Sequence, residues 1–198
     1  MNNRRGDCSR ATKETTVEVH VDLDGAGRVD VETGIPFLDH MIDQLGRHGG
    51  FDLTVKTVGD LAVDLHHTVE DAGIALGVAF AEALGDKAGV RRFASVRVPL
   101  DEALADVVVD LSGRPFLVYD VAFPEHPVIY GQPPFDAQLT EELLRAFVTS
   151  AGITLHVTRE RGRNTHHIVE SIFKGLARAL RDAVRVEGGG IPSTKGSL

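Results

Sequence analysis

The chain has very little cysteine, a shortage of basic charge and no long apolar run. Cys8 is the single cysteine among 198 residues. One thiol excludes a disulfide framework and any cysteine-based zinc site. Lys and Arg number 21 against 29 Asp and Glu, a net charge of −8. A general nucleic-acid binder needs a cationic surplus to neutralise phosphates, so no nucleic-acid partner is expected. The longest mostly apolar stretch, Ala72 to Leu84, is too short to span a bilayer and carries Glu82. The opening MNNRRGDCSRATKETT has none of the apolar character of a secretory signal. No membrane partner is expected, and a reducing cytoplasm is the expected compartment. The sequence PSTKG near the end is not a P-loop, because the upstream glycine spacing is missing.

The remainder is ordinary globular material, 42% hydrophobic and 25% charged. Its length suits one sizeable domain or two small halves sharing a core. One motif stands out. His66-His67-Thr68-Val69-Glu70 returns as His166-His167-Ile168-Val169-Glu170, 100 positions later. Random placement of nine His and twelve Glu would yield about 0.02 such motifs. Each copy opens an amphipathic run, AGIALGVAFAEAL or SIFKGLARALRDAV. On a helix both His of a copy share a face with its Glu, at i,i+4 and i,i+3. The two His themselves lie about 100° apart around the axis and diverge. One helix can therefore offer ligands to two different metal ions.

The surrounding chain alternates strands and helices. TTVEVHVDL (Thr15 to Leu23) puts Val17, Val19, Val21 and Leu23 on one side, a half-buried strand, and Arg28 to Glu32 is expected as its hairpin partner. Pro36 opens a helix that ends at Gly49-Gly50. Phe51 to Val58 reads as a strand before the first motif helix, and Gly85 to Gly89 as the junction between halves. Ser95 to Pro99, Ala105 to Leu111 and Phe116 to Phe123 follow as strands, then a proline-rich loop, the helix AQLTEELLRAFVTSAG, and the strand Ile153 to Thr158. Arg159 to Thr165 is expected as a loop. FDLTV and ITLHV align at an offset of 102, close to that of the motif. The pattern predicts an α+β fold by internal duplication: two similar halves, about 13–85 and 90–186, each a mostly antiparallel sheet with helices on one face. Residues 1–12 are expected to be loose, and 187–198 a flexible tail.

The nine His concentrate the chemistry. His40 lies mid-helix and His156 on a strand just before the second motif. With His66, His67, His166, His167, Glu70 and Glu170 they make eight candidate ligands, enough for two sites of three imidazoles and one carboxylate. Mixed N and O donors without thiolate fit manganese, iron, zinc or cobalt. Because the His of one helix diverge, pairing of the halves or of neighbouring subunits is needed to complete a site. His20, His48 and His126 have weaker claims, and His20 is expected to be exposed on the polar face of its strand. Arg92, Arg114, Lys174, Ser193 and Lys195 are the residues suited to an anion.

Several blocks in one order carry a resemblance over about residues 13–198. GIPFLDHMIDQLGRHGGFDL, LHHTVEDAGIALG, VDLSGRPFLVYD, AGITLHVTRERGRNTHHIVESIFKGLARALR and IPSTKGSL resemble the imidazoleglycerol-phosphate dehydratases of histidine biosynthesis. The resemblance implies a hydro-lyase using two Mn2+ per active site, which turns imidazole glycerol phosphate into imidazole acetol phosphate and water. It implies a homo-oligomer of 24 subunits with active sites at subunit interfaces. It implies metal ligation by all eight His and Glu residues above, and catalytic roles for Glu14 and Glu170. Gln44, His48, Arg92, Arg114, Lys174, Ser193 and Lys195 match the family's substrate and phosphate contacts, with the tail as a phosphate-gripping lid hinged at Gly188-Gly189-Gly190. Two other classes stay open on the residues alone: a metal-storage or metal-sensing shell, and a dinuclear phosphate hydrolase. Alternating strands oppose a ferritin-like bundle, and a hydrolase would lean more on Asp.

Overall fold

The computed structural model describes residues 4–196. The outermost parts of the expected loose N-terminus and of the expected tail, residues 1–3 and 197–198, lie outside the described residues. The first half runs β1 (Arg5–Ala11), β2 (Thr15–Asp22), β3 (Val29–Glu32), α1 (Pro36–Gly49), β4 (Asp52–Gly59) and α2 (His66–Leu84). The second runs β5 (Phe93–Leu100), β6 (Ala103–Asp110), β7 (Phe116–Asp120), the two-residue strands β8 (Val128–Ile129) and β9 (Phe135–Asp136), α3 (Gln138–Ala151), β10 (Thr154–Arg161) and α4 (Thr165–Ala183). One sheet has the order β1-β2-β4-β3 and the other β5-β6-β10-β7. In each, the first three strands are antiparallel and the fourth joins in parallel. The same order of elements therefore occurs twice, with the β8–β9 hairpin as an insertion in the second half. Among the described residues no helix is long and apolar enough to cross a membrane.

Alternation makes the strands. Val17, Val19 and Val21 on β2, Leu53 and Val55 on β4, Val107 and Val109 on β6, and Leu155 and Val157 on β10 are buried, and the residues between them, polar except for Val108, lie on the other face. The helices fill the space between the two sheets. α2 lies on β1 and β2, and α4 on β5 and β6. Across the halves, α1 packs on α4 and α2 on α3. Buried side chains from Val17 to Val184 form one cluster spanning both halves.

The α2–α3 contact depends on glycine. A Cβ at Gly73 would fall 2.7 Å from the Leu143 carbonyl oxygen, and one at Gly77 2.6 Å from that of Phe147. These positions are one turn apart, so α2 presents a bare stripe on which the α3 backbone rests.

Three expectations fail. Residues 5–11, expected to be loose, form the edge strand β1. The face it turns to α2 carries Gly6, Cys8 and Arg10, so no apolar alternation marks it. Segment 29–32 is not a hairpin partner of β2, because both sides of β2 are taken, by β1 and by β4. It crosses instead to the far side of β4 and pairs in parallel. Asp52 guides that crossing: its carboxylate accepts from the backbone N–H of Ala26 (2.8 Å) and Arg28 (2.9 Å) and from the Arg28 guanidinium. The third failure is the loop expected from Arg159, since β10 continues to Arg161 through an irregularity between Arg159 and Arg161.

Two outcomes follow from this packing. Gly77→Val forces apart two backbones already in contact and lowers the unfolding temperature by about 3–10 °C in a thermal melt, the scale of 1–3 kcal/mol of overpacking. Asp52 gives a pH signature. Its bonds to Arg28 hold the carboxyl far below the ordinary value of 3.8. A depressed folded-state pKa stabilises above the unfolded value, and that stability fades as pH falls below it. Asp52→Asn therefore lowers the melting temperature by a constant amount from neutral pH to about pH 5, and the gap to wild type narrows below about pH 4.

Candidate active site

The helix starts that carry the motif are set by side chains two residues upstream. Asp64 Oδ1 accepts from the His66 N–H at 2.8 Å, and Asn164 Oδ1 from the His166 and His167 N–H groups at 3.0 and 3.3 Å. Gly59 admits the first turn of α2 to the end of β4, since a Cβ there would meet Thr68 Oγ1 at 2.0 Å. The paired rings diverge as the helix geometry requires: His66 and His67 are perpendicular with centroids 6.3 Å apart, His166 and His167 at 82° and 6.2 Å.

The α1–α4 contact builds the centre. His40, Gln44 and His48 stand one turn apart along α1, and His166, Glu170 and Lys174 likewise along α4. Glu170, 9% exposed, is the meeting point. Its Oε2 lies 3.0 Å from His166 Nε2 and 3.4 Å from His40 Nε2, and its Oε1 2.7 Å from Lys174 Nζ. Burial opposes ionisation of Glu170, but Lys174, His166 and His40 outweigh it and hold the carboxyl below its usual range. His40, His166 and Glu170 are the one group of metal-ligand type that converges among the described residues, with donor atoms all within 4.8 Å of one another. Two imidazole nitrogens and a carboxylate oxygen, with no thiolate, suit a divalent transition metal. The Phe37 ring packs edge-on against His166 at 5.1 Å. His48 Nε2 lies 3.0 Å from Gln44 Oε1. Burial, then the nearby Lys174 and Arg178, push its imidazole below the ordinary pKa.

The other five candidate ligands are not brought to this point within one chain. His156 is on the outward face of β10, between the buried Leu155 and Val157. His167 is held at the start of α4 by Glu102, whose Oε2 lies 2.7 Å from Nδ1. That bond, with the N–H groups of Asn164 and Arg163, brings the Glu102 carboxyl down to about 2. In the first half Asp60 does the same for His67, at 3.1 and 3.2 Å from Nδ1, and raises the imidazole pKa. Each second His therefore has Nδ1 occupied and Nε2 available, the arrangement in which a carboxylate orients a metal-binding imidazole. Glu14 Oε2 stands 3.9 Å from His67 Nδ1, its side chain 54% exposed. Asp60 and Glu102 escaped the sequence reading. The one signal for Glu102 was its place just before the second strand of its half, where Glu14 stands in the first. His66 and Glu70 lie at the start of α2, away from the α1–α4 centre. His20 is exposed, as expected, and paired with Asp7.

The candidate anion contacts fall into two groups. Gln44, His48 and Lys174 flank the His40–Glu170 centre. Arg92, Arg114, Ser193 and Lys195 line a separate concavity of about 520 Å3, with Pro192 and Thr194. Asp110 takes the Arg92 guanidinium at 2.7 and 3.2 Å and approaches Arg114 at 3.8 Å. One carboxylate thus orients two guanidiniums, and with Lys195 the cradle keeps a positive excess. Hydrogen bonds connect the tail's glycine segment to the junction between the halves. Glu187 N–H donates to the Gly89 carbonyl (2.8 Å), Gly89 N–H to that of Gly190 (3.1 Å), and Arg92 Nη1 to that of Pro192 (2.7 Å). The junction between the halves pins the tail on both sides of Gly188-Gly189.

Both the sequence and the fold have known relatives. Residues 33–180 match the family model described as imidazoleglycerol-phosphate dehydratase. The chain is similar to imidazoleglycerol-phosphate dehydratases of Acidothermus cellulolyticus, 57% identical over 100% of this chain and 94% of that protein, and of Streptomyces avermitilis, 57% identical over 98% and 99%. Among solved structures it resembles the Staphylococcus aureus dehydratase (TM-score 0.81, 35% identity, 92% of this chain and 99% of that one) and the Pyrococcus furiosus protein (TM-score 0.82, 35% identity, 96% and 100%). With its duplicated α+β fold and its paired motif, the chain belongs to the imidazoleglycerol-phosphate dehydratase family and is a hydro-lyase.

Proposed function

We propose that this chain removes water from D-erythro-imidazole glycerol phosphate to give imidazole acetol phosphate, in histidine biosynthesis, and that it needs two Mn2+ per active site to do so. The observation that carries the metal dependence is the convergence of His40, His166 and Glu170 on one point. His66, His67, Glu70, His156 and His167 complete the donor sets when copies of the chain meet, because within one copy they face other directions. That requirement makes the protein a homo-oligomer with active sites at subunit interfaces, and we take its size to be 24 subunits, as the resemblance implies.

The residues divide the work as follows. Divalent cations in such donor sets supply positive charge that lowers the pKa of a bound imidazole and strengthens the ring as an electron donor to the departing hydroxyl. Asp60 and Glu102 keep the Nε2 atoms of His67 and His167 directed outward. Arg92, Arg114, Ser193 and Lys195 hold the phosphate, and Lys174, Gln44 and His48 line the approach to the ring. The binding energy of the phosphate fixes the reacting carbons. Glu14, exposed and without a strong partner, moves the proton on the carbon chain. The hydroxyl leaves as water, and the resulting enol tautomerises to the ketone.

Incubating the purified protein with substrate and Mn2+ is the test. The expected result is loss of imidazole glycerol phosphate with formation of the ketone, no release of inorganic phosphate, and abolition by chelator. Release of phosphate would identify a hydrolase, and metal uptake without turnover a storage or sensing shell. Two variants separate the carboxylates. Glu170→Gln lowers metal content and removes activity together. Glu14→Gln retains metal but loses about 10²-fold or more in kcat. Metal analysis of both proteins decides the roles, and a metal-depleted Glu14→Gln protein would make Glu14 a ligand.

A further inference from the structure

We propose that Asp71 is a positioning residue for Glu14. It fastens the β1–β2 hairpin to α2, so that Glu14 stands beside His67 with its carboxylate uncommitted. The proposal rests on the acid–base reading of Glu14 given above.

The two halves provide an internal comparison. Glu14 and Glu102 each occupy the residue before the second strand of their half. In the second half that carboxylate is itself the fastening: Glu102 Oε1 accepts from the N–H groups of Arg163 (3.1 Å) and Asn164 (2.8 Å), and Oε2 binds His167. A carboxylate used up in this way has no freedom to move a proton. In the first half Asp60 holds His67 instead, and the Glu14 side chain stops 3.9 Å short of that ring. The hairpin then needs another anchor.

Asp71 provides it. This residue follows Glu70 on α2 and is 5% exposed. Its Oδ1 accepts from Arg10 Nε at 3.0 Å, and its Oδ2 from the Thr15 hydroxyl. Arg10 and Thr15 flank the turn that carries Glu14, one on each strand. Inside the turn, Thr12 Oγ1 accepts the N–H groups of Glu14 (3.1 Å) and Thr15 (3.0 Å), and Thr12 N–H reaches the Thr15 carbonyl at 2.8 Å. Asp71 thus fixes both ends of a turn whose interior is already rigid, leaving the Glu14 side chain as its free part. The equivalent residue in the second half, Ser171, bonds the Ile168 carbonyl of its own helix at 2.8 Å and reaches no hairpin. A buried carboxylate is present where the turn's own glutamate is free, and absent where that glutamate is tied.

A double-mutant cycle with the Mn2+-loaded full-length enzyme tests this. Asp71→Asn should lower kcat by about 10-fold with KM within about 2-fold and metal content unchanged, because an interaction made through the acid–base group acts on the chemical step. In a Glu14→Gln background the same substitution should cost less than about 2-fold, because nothing is left to position. Arg10→Gln loosens the same anchor from its more exposed side and should show the same pattern at about 3-fold. It decides the matter alone if Asp71→Asn does not fold. Equal losses in both backgrounds, or a folded Asp71→Asn enzyme with wild-type kcat, would overturn the inference while leaving the dehydratase function standing. A wild-type protein without dehydratase activity would overturn both.

Discussion

The packing of α1 on α4 is the contact on which the rest of the molecule depends. It joins a helix of the first half to a helix of the second, so neither half can assemble the site alone. His40 reaches Glu170 only because the two helices cross with their polar stripes facing, while Leu38, Met41 and Ile42 on one side and Ile172, Leu176 and Leu180 on the other are removed from water. The apolar contact is nondirectional and supplies the stability. The polar stripe is directional and supplies the site. Glu170, buried among two imidazoles and a lysine, would be expensive to ionise without them. Two of the neighbours that keep it charged, His40 and His166, are the imidazoles that converge with it in a group of metal-ligand type.

The two halves use their hairpin carboxylates differently. Glu102 is locked to His167 and to the start of α4, whereas Asp60 holds His67 and the Glu14 carboxylate stays 3.9 Å from that ring. The junction at Gly89 to Arg92 links the halves, holds the C-terminal segment by backbone hydrogen bonds, and places Arg92 in the concavity with Arg114 and Lys195. Asp110 holds Arg92 and stands near Arg114, so both guanidiniums are fixed by one carboxylate.

Where the sequence reading failed, the reasons are physical. β1 has no apolar alternation, because the face it turns inward meets helix backbone at Gly6 and a buried carboxylate opposite Arg10. Hydrophobic periodicity cannot detect a strand whose inner face carries Gly, Cys and Arg, with one small apolar side chain among them. Without β1, the pattern leaves β2 a free edge, and segment 28–32 is the nearest strand to fill it.

By itself the sequence determined the helices, most strands, the duplication and the paired motif, because these rest on local rules: the period of apolar residues, Pro and Gly at helix ends, and a motif too improbable to occur twice by chance. It also determined that the two His of each motif diverge, which follows from 100° per residue. Tertiary structure alone decided which of the candidate residues share a point. His40 and Glu170 are 130 residues apart, and nothing local relates them. The partners of the imidazole Nδ1 atoms, Asp60 and Glu102, and the anchor at Asp71 belong to the same class. They are ordinary surface-type residues in the sequence, and their roles arise when strands, turns and helices that are distant in the chain close on one another.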